Sequence, residues 1–248
     1  MPRAFSKIPY FQQQERRRRL HRMQPISKPF PPFPPESLSQ LLRQWSTASG
    51  SPPPAAERLG SWLGWADAIE ISQVLTTPPG NTTSEAARIE SMCWASAELE
   101  RIQAQLAASF NHPELAGESE SASDGAAFTD LLAPCLQHFT QQQRLIESRT
   151  AAFRAHLRAK LTRVSGELAR LAQLDEYIER AVASPQLRAM TGLSAVLETR
   201  ARKHHVADPL RWRARLWSDL QRLLRAELDQ KLQPVLGLVE ALNTNRPR

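Results

Sequence analysis

Apolar residues recur every three or four positions along most of the chain beyond residue 36, with polar residues between them. This spacing places apolar side chains on one face of an α-helix, and no stretch shows the strict alternation that is typical of a strand. The sequence therefore predicts an all-α protein. Proline clusters and an N-cap at Ser84 delimit three predicted helices in the first half: Ser37–Thr47, Glu57–Leu75 and Ser84–Phe110.

The second of these helices is apolar on nearly every side, and Trp62 and Trp65 are interpreted as core anchors. A helix that is apolar all round is buried between other helices. We therefore expect Glu57–Leu75 to be enclosed by the rest of the protein.

The longest patterns lie in the second half. The longest one begins at Phe128, and its apolar seam runs from Phe153 to Val182. Gly166, the one glycine between Phe128 and Val182, is expected to be tolerated within this helix at a cost of about 1 kcal/mol relative to alanine. The Ser-Pro pair at 184–185 is expected to end this helix and to start a shorter one through about Lys203.

A last helix is capped by Asp208-Pro209, and Pro234 is expected to bend it rather than to stop it. Two long helices with seams, joined through a shorter one, predict an antiparallel, coiled-coil-like hairpin. With the first-half helices packed against one end, the expected fold is an elongated antiparallel helical bundle.

Composition divides the chain into four parts. We predict a disordered basic and proline-rich tail, an N-terminal helical segment, a flexible acidic linker and a C-terminal bundle of long helices. Their predicted bounds are 1–36, 37–110, 111–126 and 127–248.

Charge is strongly segregated along the chain. The net charge is +7, and residues 1–28 carry eight basic residues and one acidic residue. Residues 36–130 carry 4 basic and 13 acidic residues, whereas residues 131–231 carry 18 basic and 10 acidic residues. The tail therefore accounts for the net charge, and the body is divided into an acidic half and a basic half.

Two groups of basic residues are candidates for binding nucleic acid or another anion, one in the tail and one in the predicted last two helices. The alternatives are a solvated tail and a helix face that forms salt bridges, docked on the acidic half of the protein itself. The candidates are Arg16, Arg17, Arg18, Arg19, Arg202, Lys203, Arg211, Arg215, Arg222 and Arg225.

The sequence lacks the common catalytic motifs: a phosphate-binding glycine loop, a nucleophile elbow and a zinc-protease helix. The D-x-K sequence at 229–231 falls within a helix, where residues two apart do not share a face. His204 and His205 are interpreted as a polar turn between helices, and Cys135 with His138 lacks further metal ligands. We therefore expect a non-enzymatic protein without cofactor or metal.

The remaining features predict a cytoplasmic protein. Two cysteines do not form a disulfide framework, no apolar run is long enough to cross a membrane, and the N-terminus lacks the apolar segment of a secretory signal.

Two segments resemble a bacterial protein family of unknown function. They are Arg58–Ile69 (RLGSWLGWADAI) and Ala226–Leu242 (AELDQKLQPVLGLVEAL), and the resemblance extends over about residues 37–243. Both segments carry packing residues rather than catalytic ones, so the resemblance implies a fold and a context but no active site.

The resemblance also implies a genetic neighbourhood. Genes of this family lie beside those for a flagellar-stator-like proton channel and an OmpA-like peptidoglycan-binding partner, an arrangement similar to type III Zorya anti-phage defence systems. It implies a cytosolic accessory component that contacts other proteins of the operon and is recruited to the inner membrane. Binding of phage DNA and self-association are further expectations.

Two alternatives remain open at this point. One is a stand-alone nucleic-acid-binding helical protein, and the other is a structural coiled-coil protein.

Overall fold

The computed structural model describes residues 37–45, 65–80, 84–112, 115 and 128–244, and it describes side chains for all of these except 65–67 and 189. This part of the chain contains seven helices and no strand, which confirms the all-α prediction. The described residues belong to one compact unit, Glu36–Arg248. The helices are α1 (Leu38–Trp45), α2 (Trp65–Thr76), α3 (Glu85–Ser109), α4 (Phe128–Leu161), α5 (Gly166–Thr191), α6 (Leu193–Ala207) and α7 (Trp212–Thr244).

Serine side chains cap the starts of α3 and α1. The Ser84 hydroxyl accepts a hydrogen bond from the Ala87 amide, as predicted for the N-cap of α3. At α1, Ser37 Oγ accepts from the Gln40 amide at 3.3 Å and the Ser37 amide donates to Gln40 Oε1 at 2.8 Å. These reciprocal bonds form a capping box, which satisfies backbone donors that lack partners within the helix.

The prediction of one helix from Phe128 to Val182 is wrong, because the chain turns at 162–164 and α5 begins at Gly166. The Ser84 amide donates to the Val164 carbonyl at 2.8 Å, and Ser165 caps α5 by accepting from the Leu168 amide. This turn is thus fixed by a segment about eighty residues earlier in the chain. Gly166 is not a tolerated interior glycine either: a Cβ there would overlap the backbone of Gly80.

The predicted break at 184–185 is also wrong. Helix α5 continues through Pro185 to Thr191, and the chain breaks at Gly192 instead. A single proline removes one backbone donor and need not end a helix, whereas Gly192 has a low helix propensity and offers no side chain as a cap for α6.

The predicted cap at Asp208-Pro209 lies four residues before the last helix. Asp208 ends α6, and its Oδ1 accepts from the amides of Leu210 and Arg211 before α7 begins at Trp212. Helix α7 continues through Pro234, as expected. His204 and His205 therefore lie at the end of α6 and not in the turn.

The two longest helices, α4 and α7, run parallel, so the predicted antiparallel pairing between them is wrong. Their contacts advance together along both helices: the rings of His138 and Trp217 are 5.4 Å apart, and Gln143 bonds to Glu227 further towards the C-terminal end of each helix. Antiparallel packing holds between other neighbours, including α3 with α4, α4 with α5, and α6 with α7.

Helix α3 lies along α4 and α7, which corrects the expectation that first-half helices pack against one end. Trp94 packs edge-on against Phe153, Ser109 Oγ bonds to Gln142, and Arg88 Nη1 donates to the Leu242 carbonyl. Apolar residues of α1, α3, α4, α5, α6 and α7 therefore share one core.

The expectation that α2 is enclosed is wrong for its described side chains. Val74 is buried, but Ile69 and Leu75 are 42% and 50% exposed. The helix packs mainly on α5, where the Arg170 guanidinium donates to the Leu75 carbonyl and Arg180 pairs with Glu70 at 3.4 Å. Trp62 and residues 57–64 lie outside the described residues.

The predicted tail, and most of the predicted linker at 111–126, lie outside the described residues. No helix in the described ranges combines the length and apolar character needed to cross a bilayer.

Candidate functional site

The structure brings six of the ten candidate basic residues onto one antiparallel pair of helices, which we call the α6–α7 hairpin (residues 193–244). Arg202 and Lys203 lie on α6, Arg211 lies in the connection, and Arg215, Arg222 and Arg225 lie on α7. The other four, Arg16–Arg19, lie outside the described residues.

Three of these six cations form ion pairs within the hairpin itself. Arg202 pairs with Glu198 at 2.5 Å, Arg215 with Asp208 at 3.2 Å, and Arg222 with Asp219 at 3.7 Å. This agrees with the interpretation of a salt-bridged helix face, although the acids belong to the hairpin and not to the acidic first half.

The other three cations of the hairpin are Lys203, Arg211 and Arg225. All three are exposed, and none forms an ion pair with another residue in the described part of the chain. Their charge is therefore available to an external anion. Lys203 lies near the end of α6, and Arg211 lies in the connection between α6 and α7.

Asp219 joins the two helices of the hairpin from a buried position. It accepts from Arg200 Nε at 2.5 Å and contacts His204 Nε2 at 2.8 Å. The guanidinium of Arg200 also lies 4.4 Å from the ring centroid of Trp45, which favours a cation–π contact. A single carboxylate thus connects α6 with α7, and Arg200 links this pair to α1.

The turn of the hairpin, which we define as residues 206–211 (the last two residues of α6 and the connection to α7), carries two aliphatic side chains that the rest of the chain leaves uncovered. Val206 is 85% exposed and Leu210 is 90% exposed. Beneath the turn, His205 packs edge-on against both Phe128 and Trp212 at 4.9 and 5.6 Å. Neither aliphatic residue was identified from the sequence. Both lie outside the predicted apolar seams of the helices, and this position is the signal that could have identified them.

A second buried carboxylate lies between α4 and α7. Glu227 on α7 is 2% exposed, and Gln143 Nε2 donates to its Oε2 at 3.0 Å. Burial raises the pKa of Glu227 to about 7, against a smaller lowering by the Gln143 hydrogen bond and by Lys231. Sequence analysis did not single out Glu227, because its position is adjacent to the seam and does not interrupt it.

His138 and Cys135 are both buried on α4, and His138 stacks between Trp217 and His112. Burial, and to a lesser degree His112, lowers the pKa of His138, so its neutral form is favoured. Among the residues that the structure describes, no three His, Cys, Asp or Glu side chains come together as a metal site would require. The neighbourhood is a packing cluster.

One protein family matches residues 29–244 of the chain, and that family is described as a protein of unknown function, DUF3348. The match contains all seven helices and both of the motifs at 58–69 and 226–242, and it leaves Arg16–Arg19 outside. The resemblance to a family of unknown function is therefore confirmed. No curated protein and no solved structure matches the chain.

Proposed function

We propose that this chain, which belongs to the DUF3348 family, is a non-enzymatic accessory protein that binds another protein through helix α2. The observation that carries the proposal is the exposure of an apolar helix. The sequence of α2, WADAIEISQVLT, has seven apolar residues among twelve, and two of them, Ile69 and Leu75, are about half exposed.

Two apolar side chains of α2 remain about half exposed to water. A helix that is apolar on several sides is stable in water only when most of those sides are covered. Within the described residues, α2 packs mainly against α5 and buries Val74 there. A protein partner that covers Ile69 and Leu75 would complete the burial, as exposed apolar patches do at other interfaces.

The partner that we propose is a protein of the same operon. The support is the resemblance to a family whose genes adjoin those for a stator-like proton channel, as in type III Zorya anti-phage defence. In this proposal the chain is a cytosolic component, recruited to the inner membrane by the channel complex or by a second cytosolic protein.

Co-expression of the neighbouring genes tests this function. The tagged chain should retain one of their products on capture, and deletion of its gene should abolish protection against phage. Capture without any operon product, together with intact protection after deletion, would refute the proposal.

Nucleic-acid binding remains the second candidate, and its specific support is the set of unpaired cations Lys203, Arg211 and Arg225. Phosphate contacts weaken steeply with salt, and each lost contact lowers the salt slope by about 1. A mobility-shift series on duplex DNA, with the full chain and with a chain lacking residues 1–28, tests this candidate. Absence of binding by both forms at low salt would exclude it.

A further inference from the structure

We infer that the turn of the α6–α7 hairpin binds the surface of an anionic lipid bilayer. Residues 206–211 would insert shallowly, with Val206 and Leu210 among the headgroups and acyl carbons. This interaction is independent of the protein contact proposed for α2, because it uses a different surface.

Two aliphatic side chains are exposed close together within residues 206–211. Val206 and Leu210, 85% and 90% exposed, are the two most exposed large apolar residues among those that the structure describes. Neither contributes to the core of the protein. Aliphatic side chains at the end of a basic amphipathic element are typical of proteins that bind at the bilayer interface.

Charge complementarity identifies the occupant. Residues 200–215 contain six basic residues and a single acidic one, Asp208. Asp208 is engaged within the turn, where its Oδ1 accepts two backbone amides and its Oδ2 pairs with Arg215 at 3.2 Å. The turn therefore presents apolar groups surrounded by positive charge, which complements an anionic membrane surface.

The unpaired cations are placed where lipid headgroups would lie. Lys203 is one helical turn before Val206 on α6, and Arg211 directly follows Leu210. Their long side chains can reach headgroup phosphates while the aliphatic residues enter the apolar region.

The turn is also held in a defined shape. The rings of Phe128, His205 and Trp212 pack together beneath it, and the Asp208 carboxylate closes it through the Leu210 amide. A preformed turn loses little conformational freedom on binding, so less of the interaction energy is spent on ordering it.

A bilayer fits this surface better than a nucleic acid does. A duplex would lie along the face of α7, but Arg215 and Arg222 on that face are already paired with Asp208 and Asp219. A phosphate backbone also gives Val206 and Leu210 nothing to contact, whereas a bilayer accounts for the cations and the aliphatic residues together.

The test is vesicle co-sedimentation of the full chain, with Arg16–Arg19 changed to Gln in every sample so that the tail does not mask the body. The probes are vesicles of phosphatidylcholine with phosphatidylglycerol, vesicles of phosphatidylcholine alone, and a short DNA duplex. Two test variants, V206S/L210S and K203Q/R211Q, are compared with the matched controls I178S/L187S and R144Q/R163Q, which alter exposed residues elsewhere.

We expect binding to the anionic vesicles that V206S/L210S weakens about tenfold and that K203Q/R211Q weakens by about fivefold for each cation removed. The vesicle affinity of each control variant should stay within about twofold of the parent's, which is a smaller change than that expected for one removed cation. Equal binding by test and control variants, equal binding to neutral vesicles, or binding to the duplex alone would overturn the inference. I69S/L75S should bind vesicles normally, so failure of the α2 proposal is distinguishable from failure of this one.

Discussion

Gln143 Nε2 on α4 donates a hydrogen bond to Glu227 Oε2 on α7 at 3.0 Å, across the parallel interface of the two longest helices. The same amide lies 3.5 Å from the Met190 carbonyl near the end of α5. One turn further on, Lys231 pairs with Glu147. The carboxyl of Glu227 is thus a buried acid where α4, α5 and α7 meet.

Stability should fall as pH rises through the pKa of Glu227. Burial raises this pKa from 4.5 to about 7, so between these values the folded state binds more protons than the unfolded state does. Protonation of Glu227 therefore stabilises the folded state fully below about pH 4.5, and this contribution is lost by about pH 7. Its full contribution to the free energy of unfolding is about 3 kcal/mol. Urea unfolding from pH 5 to 8 measures it.

The matched variant is Glu227→Gln, which keeps the acceptor for Gln143 and removes the ionisation. Its stability should vary less with pH, and it should exceed that of the parent above pH 7. Asp229, whose pKa burial also raises, gives both proteins a slope of the same sign, so only the difference between them is informative. Identical pH profiles for the two proteins would show that Glu227 does not titrate in this way.

Two glycines should respond in opposite directions to alanine. Gly166→Ala should destabilise the fold by about 1–3 kcal/mol, because its Cβ would overlap the Gly80 backbone and force the turn apart. Gly237→Ala meets no atom within 4 Å inside α7 and should stabilise by about 0.5–1 kcal/mol through helix propensity. Chemical denaturation measures both changes, and a neutral Gly166→Ala would contradict the close approach.

Asp219→Asn should destabilise the hairpin by about 2 kcal/mol, since it leaves the partly buried Arg200 and His204 without their shared carboxylate. Glu198→Gln removes the partner of Arg202 on the exposed face and should cost less than about 0.5 kcal/mol. Thermal unfolding of the two variants provides the comparison. Similar losses in both would mean that Asp219 contributes no more than a surface acid.

Local rules predicted several features correctly from the sequence. The N-cap at Ser84, the amphipathic face of α1 and the passage of α7 through Pro234 all depend on residues within a few positions of each other. These are the contacts that helix propensity and apolar spacing encode.

Other features depended on residues far apart in the chain. The turn before Gly166 is fixed by Ser84 and Gly80, and the parallel course of α4 and α7 depends on how six helices share one core. The structure places five of the ten candidate cations on α6 and α7 and Arg211 in the connection between them, but whether each is paired depends on acids such as Asp208 that a helical projection does not locate. Spacing alone could not reveal which apolar residues of α2 stay uncovered.

The central claim is that a partner protein covers α2, and the most direct measurement is quantitative capture of the operon products by surface variants. I69S/L75S alters the uncovered side chains of α2, and V206S/L210S, which changes two aliphatic residues that are more exposed than these, is its control. We predict that I69S/L75S loses the partner while the control retains it. Full retention by I69S/L75S, or equal loss from both variants, would contradict the account.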